Sequence, residues 1–171
     1  MFFCNHLRRR ALRKFQSKVP TAIIPITDIR SATVLLDASD SSHEACAKAI
    51  QAYFKSKDVK VRIIYTYLEK LEKTDTPPAD RNATLLRRDL DWCGRPSLQK
   101  LSFITGAESD LFISLEGENT YQAEFIAYWF PARFKIGRFP LPVFDIVLDG
   151  REGRTQAEVF QSIEDLFTKI Q

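Results

Sequence analysis

Apolar and polar positions change along the chain in blocks that predict strands and helices in turn. Ser31–Asp37 is a short apolar run, and a helical pattern starts directly after the polar turn Ala38–Ser42 and continues to about Lys55. Val59–Tyr67 is then rich in β-branched and aromatic residues, as strands are. These elements predict a strand–helix–strand unit with a right-handed crossover.

The same alternation continues through the rest of the chain. A four-residue spacing of apolar positions from Phe3 to Phe15 predicts a first helix that ends near Ser17. Further helices are predicted at 97–105 with Gly106 as C-cap, at 120–130 and at 155–170, and further strands at 110–115, 134–137 and 143–148, the last ended by Gly150. Leu101–Ile104 fits a strand as an alternative to the helix, and Asn82–Trp92 fits neither pattern.

Strands that alternate with helices imply a mostly parallel sheet with helices on both faces. We therefore predict an α/β fold, a three-layer Rossmann-like domain with a mostly parallel sheet and a basic N-terminal helix. The 171 residues suit one domain. We assign residues 1–20 to a basic helical arm and residues 21–171 to a single α/β domain.

Positive charge is concentrated in the arm. Residues 1–20 contain six of the 25 basic residues and no acid, so the remaining chain has 19 basic and 22 acidic side chains. A nucleic-acid partner is therefore disfavoured for the body of the domain, since such domains usually carry a basic face. A protein partner or an anionic surface is expected to contact the arm through Arg8, Arg9, Arg10, Arg13, Lys14 and Lys18.

The cysteines indicate the redox state of the compartment rather than a framework of disulfide bonds. Cys4, Cys46 and Cys93 are odd in number and far apart, which argues against disulfides and for a reducing environment. No apolar run approaches the roughly 20 residues that a membrane helix needs. We expect a cytoplasmic protein, with peripheral membrane contact as an alternative.

The polar turn after the first strand is the first candidate ligand site. In open α/β sheets, ligands bind where strand ends meet helix N-termini, which places Asp37, Ser39, Asp40, Ser41 and Ser42 in position. The alternative is a plain helix cap, with Ser41 and Glu44 as a capping box. Residues 33–50 resemble the opening of universal stress proteins. No glycine-rich phosphate loop follows, so ATP binding is not carried over.

A second candidate is the run Trp92-Cys93-Gly94-Arg95-Pro96. It resembles the thioredoxin active site but lacks the second cysteine, so we interpret it as a turn anchored by a packed tryptophan. Trp92 and Arg95 are expected near the first candidate site, as further ligand contacts. With only His6 and a solvated His43 available, the sequence indicates no catalytic set and no metal site, and it names no cofactor.

Several motifs in the second half resemble a family of unknown function from small bacterial proteins of the Bacteroidetes type. They are D-W-x-G-R-P at 91–96, DLFISL at 110–115, ARFKIG at 132–137 and Phe144-Asp145. A strand that begins with Asp110, then a helix and then Lys135-Ile136-Gly137 also resemble the amino-terminal half of heptosyltransferase-like glycosyltransferases. Those enzymes need a second Rossmann-like domain to bind the sugar nucleotide, and this chain is too short to contain one, so the resemblance implies a half-enzyme or a binding remnant.

Three hypotheses follow for function. The first is a non-enzymatic α/β binding or interaction module, because no recognisable catalytic set is present. The second is a small-ligand protein that binds a nucleotide or sugar nucleotide at the end of the first strand. The third is a peripheral membrane-surface protein that binds through the basic arm.

Overall fold

The computed structural model describes residues 2–148 and 153–170, which form alternating strands and helices. The helices are α1 (Phe2–Phe15), α2 (His43–Ser56), α3 (Leu98–Thr105), α4 (Tyr121–Trp129) and α5 (Gln156–Lys169). The strands are β1 (Ser31–Asp37), β2 (Lys60–Tyr67), β3 (Thr84–Leu86), β4 (Ser109–Ser114), β5 (Ala132–Gly137) and β6 (Ile146–Val147).

All six strands lie in one sheet in the order β3-β2-β1-β4-β5-β6, and every pair is parallel. This arrangement confirms the predicted Rossmann-like fold. The order reverses at β1, so the connections that leave β1 and β4 run in opposite directions. A crevice at this point of reversal is the usual ligand site in such sheets.

Two hydrophobic cores flank the sheet, one on each face. The first core joins α2 and α5 to one face through fully buried side chains such as Ile50, Phe54 and Phe160. The second core joins α3 and α4 to the other face through Leu101, Phe125 and their neighbours. Because β1 and β4 are buried on both faces, their sequences read as continuous apolar runs.

Helix α1 packs outside the second core. Ala11, Leu12 and Phe15 contact that core, and no residue of α1 is fully buried. Just after α1, the backbone N–H of Ser17 donates a hydrogen bond to the Tyr128 carbonyl of α4. The predicted basic N-terminal helix is therefore present, with its polar faces outward.

The helix predicted at 97–105 forms as α3, so the strand alternative for Leu101–Ile104 is wrong. The predicted strand at 143–148 shortens to β6, because the Asp145 carboxylate accepts the Lys135 N–H that a strand carbonyl would otherwise receive. Residues 84–86 form the short edge strand that the pattern did not predict. Gly150 lies outside the described residues.

Candidate functional site at the aromatic–basic end

The polar turn after β1 is built from carboxylates that bind their own neighbours. Asp37 Oδ1 accepts hydrogen bonds from the N–H and the hydroxyl of Ser39, and Asp40 Oδ1 accepts the same pair from Ser42. Ser41 is exposed. The predicted Ser41–Glu44 capping box is wrong: α2 begins after Ser42, whose hydroxyl donates to Asp40 rather than capping the helix.

The first helical turn of α5 covers the polar turn that follows β1. Gln156 is completely buried, and its side-chain amide accepts from the Asp37 N–H at 2.7 Å and donates to the Asp37 carbonyl at 2.9 Å. Asp40 Oδ2 accepts the Gln156 N–H at 3.3 Å. The carboxylate of Asp40 and the backbone of Asp37 are thus occupied by the chain itself.

His43, expected in water, is only 9% exposed. Its ring nitrogens lie 2.9 Å from the Asp40 carbonyl oxygen and 3.3 Å from the Pro78 carbonyl oxygen. The ring also meets Tyr65 edge-on, with centroids 6.2 Å apart. These contacts make it part of the packing between α2 and the 68–80 segment, so the expectation of a solvated histidine is wrong.

Glu116 lies at the carboxyl end of β4, where the strand order reverses, and sequence reasoning missed it. It is 3% exposed and accepts hydrogen bonds from the hydroxyls of Thr66 and Thr120. Burial raises the pKa of Glu116 to about 7, with a further contribution from the Asp37 charge. Only the sheet order brings these residues together, so no local signal could have identified the group.

The loop between Asp91 and Arg95 lies against α1. Asp91 Oδ1 accepts the N–H groups of Cys93 and Arg95, and Gly94 adopts a φ of +83°, which favours glycine. Cys93 forms a disulfide with Cys4 of α1, with their Cα atoms 5.4 Å apart. The expectation of unpaired cysteines is wrong for this pair, and the argument for a reducing compartment loses its basis. Cys46 is free and buried.

Exposed aromatic side chains surround the disulfide. Trp92 is 75% exposed, so the expected packed tryptophan is wrong. Its ring stacks on Phe3 of α1 at a centroid distance of 6.1 Å. Phe3 and Phe2 are themselves 66% and 94% exposed. Large aromatic rings in water are unusual in a folded domain and mark a contact surface when they cluster.

Basic side chains line a cavity of about 270 Å³ beneath these rings. Arg8 Nε donates to the Cys93 carbonyl at 2.7 Å, and its guanidinium lies 4.8 Å from the centre of the Tyr121 ring. Arg95 lies in the same way over Phe15, at 5.3 Å. The lining residues are Leu7, Arg8, Arg10, Ala11, Lys14, Phe15, Asp91, Trp92, Cys93, Arg95 and Tyr121. We call this cavity, together with Phe2 and Phe3, the aromatic–basic end.

The predicted site residues therefore fall into two groups. Trp92 and Arg95 lie in the aromatic–basic end with α1, whereas the turn from Asp37 to Ser42 packs beneath α5 on the other face. Of the predicted arm cations, Arg8, Arg10 and Lys14 line the cavity, and Arg9, Arg13 and Lys18 lie outside it. The proximity of α1 to the 91–95 loop was not predicted, because it arises from a contact 89 residues apart.

Metal-binding clusters and membrane-spanning helices are both absent from residues 2–148 and 153–170. No cluster of three or more histidine, cysteine or acidic side chains there is arranged to hold a metal ion. None of the helices in these ranges has the length and apolar character needed to cross a bilayer.

Comparison with known proteins gives a family but no activity. No curated protein and no solved structure matches the chain. One family model matches residues 2–163, which is most of the 171 residues and includes α1, the whole sheet and half of α5. The chain therefore belongs to the family described as Family of unknown function (DUF6913).

Proposed function

We propose that this domain is a non-enzymatic binding module that attaches to an anionic membrane surface through the aromatic–basic end. The observation that carries the proposal is the cluster of Phe2, Phe3 and Trp92 in water beside the arginines of α1. Tryptophan with basic neighbours suits the boundary between lipid headgroups and acyl chains.

The geometry supports two separate contributions to binding. The three rings together can leave water when they enter the interface, at about 1.5 to 3 kcal/mol for each ring that is fully buried. The exposed Arg10 and Lys14 can add about 1 kcal/mol each near an anionic leaflet. Neither contribution alone gives stable attachment, so we expect binding that depends on anionic lipid and on salt.

The disulfide supports the proposal because it fixes the relative position of the two parts. Without it, only non-covalent contacts would join α1 to the loop, among them the stacking of Phe3 on Trp92, the Arg8 hydrogen bond and the contact of Arg95 with Phe15. With it, the rings and the cations are held as one preformed surface. Preorganisation of this kind reduces the ordering cost of binding.

Vesicle co-sedimentation tests the proposal. We expect the protein to bind phosphatidylcholine vesicles that contain about one-third phosphatidylglycerol and not vesicles of phosphatidylcholine alone. Replacing both Arg10 and Lys14 by Glu should abolish binding. The matched control replaces Lys48 and Lys55, exposed on α2, by Glu and makes the same change of net charge. If the control pair reduces binding as strongly as the arm pair, net charge alone acts and the proposal fails.

Tryptophan fluorescence tests whether the rings enter the lipid. Trp92 emission should shift to the blue on binding and be quenched by brominated acyl chains. The Trp92→Phe variant should retain binding but lose this response, because only Trp129 remains. Trp92→Ala should weaken binding about tenfold or more, as expected for a ring that leaves water. An unchanged emission spectrum in the bound state would contradict insertion.

A second candidate function is a small-ligand site at the point of reversal in the sheet. The buried Glu116 beside Asp37 favours it, because perturbed carboxyl groups concentrate at functional sites. The sequence resemblance to glycosyltransferase halves points to a nucleotide or sugar nucleotide. A thermal-shift screen against these compounds tests it, since a ligand at 100 times its Kd adds about 2.7 kcal/mol of stability. A saturable shift with any of these compounds would support this function, and no shift with any of them would contradict it.

A further inference from the structure

Another cavity lies at the carboxyl end of α4, whereas Tyr121 at the start of this helix lines the aromatic–basic end. It has a volume of about 240 Å³ and lies between the segment that follows α1, the end of α4, strand β5 and the loop before β6. Its lining residues are Gln16, Ser17, Val19, Thr21, Tyr128, Lys135, Pro142 and Val143. Neither the sequence patterns nor the proposed membrane contact involves this cavity.

Among the lining residues that the structure describes, Lys135 is the one cation, and it is 2% exposed. Its Nζ donates to the Ala127 carbonyl at 2.6 Å. An ammonium group has three donors, so this bond leaves two of them to satisfy. Among the residues that the structure describes, no carboxylate forms an ion pair with this ammonium.

The negative charge of Asp145 acts on the Lys135 ammonium, but both carboxylate oxygens of Asp145 accept hydrogen bonds from other groups. Oδ1 accepts the Thr21 hydroxyl at 2.8 Å, and Oδ2 accepts the Lys135 backbone N–H at 2.8 Å. Burial lowers the pKa of Lys135 to about 8, and the charge of Asp145 opposes that change only in part. At neutral pH the side chain is therefore a buried cation without a bound counter-charge.

Buried charges in proteins are usually paired, because an isolated one loses its hydration without replacement. The lining also includes the hydroxyls of Ser17 and Tyr128, which can donate hydrogen bonds. Val19, Pro142 and Val143 add apolar side chains to the same lining. Donors together with apolar groups suit a small organic acid rather than an inorganic ion.

We propose that this cavity is a binding site for a small organic carboxylate, whose oxygens accept hydrogen bonds from the Lys135 ammonium and the Tyr128 hydroxyl. The apolar body of the ligand contacts Val19 and Val143. Binding supplies the counter-charge that the fold omits. This site is independent of the membrane surface formed by α1.

Thermal shift and NMR titration with butyrate test the proposal, with inorganic phosphate and n-butanol as comparison probes. Butyrate should raise the melting temperature saturably, and the other two probes should not. Lys135→Met should abolish the response. The apo form of this variant should be at least as stable as the wild type, because it removes an unpaired buried charge. Lys48→Met, an exposed lysine on α2, should respond like the wild type.

The pH dependence provides a test in the unmodified protein. Lys135 must be protonated to bind, so butyrate affinity should fall about tenfold between pH 7 and pH 9 as the group titrates near pH 8. The other charged group that faces it is Asp145. The neighbouring Tyr128 should not titrate in this range, because burial raises its pKa above the ordinary value of 10.

The outcomes separate clearly. Saturable butyrate binding that is lost in Lys135→Met, weakened severalfold in Tyr128→Phe and weakened at pH 9 would support the site. No saturable response in the wild type would overturn it, as would equal affinities at pH 7 and pH 9. If Lys135→Met does not fold, the tyrosine variant and the pH profile still decide the question.

Discussion

Replacing Glu116 by Gln should stabilise the protein at alkaline pH and leave it almost unchanged in acid. Glu116 is buried between the hydroxyls of Thr66 and Thr120, and an amide can bind both of them. Its oxygen accepts from Thr66 as the carboxyl does, and its nitrogen donates to the Thr120 hydroxyl. The substitution therefore preserves size and hydrogen bonds and removes only the ionisation.

The magnitude follows from the pKa of Glu116, which burial raises from 4.5 to about 7. Between these values the folded protein keeps a proton that the unfolded chain releases, so stability falls as pH rises through this window. At 1.36 kcal/mol for each pKa unit, the complete loss above pH 7 is about 3 kcal/mol. The Glu116→Gln variant avoids this loss, because an amide does not ionise.

Urea unfolding at pH 5 and pH 8 measures the effect. We expect Glu116→Gln to exceed the wild type by about 3 kcal/mol at pH 8 and to match it within about 1 kcal/mol at pH 5. The control is Glu118→Gln, an exposed neighbour whose replacement should give the same small difference at both pH values. A stability difference for Glu116→Gln that does not change with pH would refute the reasoning, because it would show that the carboxyl does not titrate in this window.

Two further predictions concern close contacts. Cys93→Ser should lower the free energy of unfolding by about 4 kcal/mol, because the bond to Cys4 closes an 89-residue loop in the unfolded chain, and dithiothreitol should affect the wild type but not the variant. Urea curves with and without reductant measure this, and equal curves for the two proteins under oxidising conditions would contradict it. Gly137→Ala should cost about 1 to 3 kcal/mol, because its Cβ would overlap the ring of Phe144. Adding Phe144→Leu should recover part of the loss, and a double variant no more stable than Gly137→Ala alone would show that the ring is not the cause.

Local patterns predicted the long elements and missed what depends on distant partners. The apolar runs at β1 and β4 and the apolar spacing in α5 report burial directly, so these elements were predicted correctly. β3 has only three residues and lies between single helical turns, which is too short for any periodicity. The order of the strands depends on which side of β1 each connection crosses, and no local pattern encodes that choice.

The candidate site shows the same division. Trp92 and Arg95 were recognised as unusual from their sequence, but their neighbours on α1 were not. Glu116 carries no local signal, since a single acid after a strand is ordinary until the fold buries it. A capping box forms between Thr155 and Glu158 at the start of α5, whereas the predicted Ser41–Glu44 box does not form, because α2 begins after Ser42 and the Ser42 hydroxyl donates to Asp40. Competing local hydrogen bonds of this kind are decided by geometry.

The position of β1 in the middle of the sheet also constrains how the chain is made. One edge of β1 pairs with β2, which follows soon after it, but the other edge waits for β4, which begins at Ser109. Until that segment leaves the ribosome, a nascent chain holds an unpaired, apolar strand edge that can pair with other chains. Cys4 and Cys93 both emerge before β4, so the disulfide can close while this edge is still open. Non-native pairing during synthesis is therefore expected at this edge of β1, in the first half of the chain.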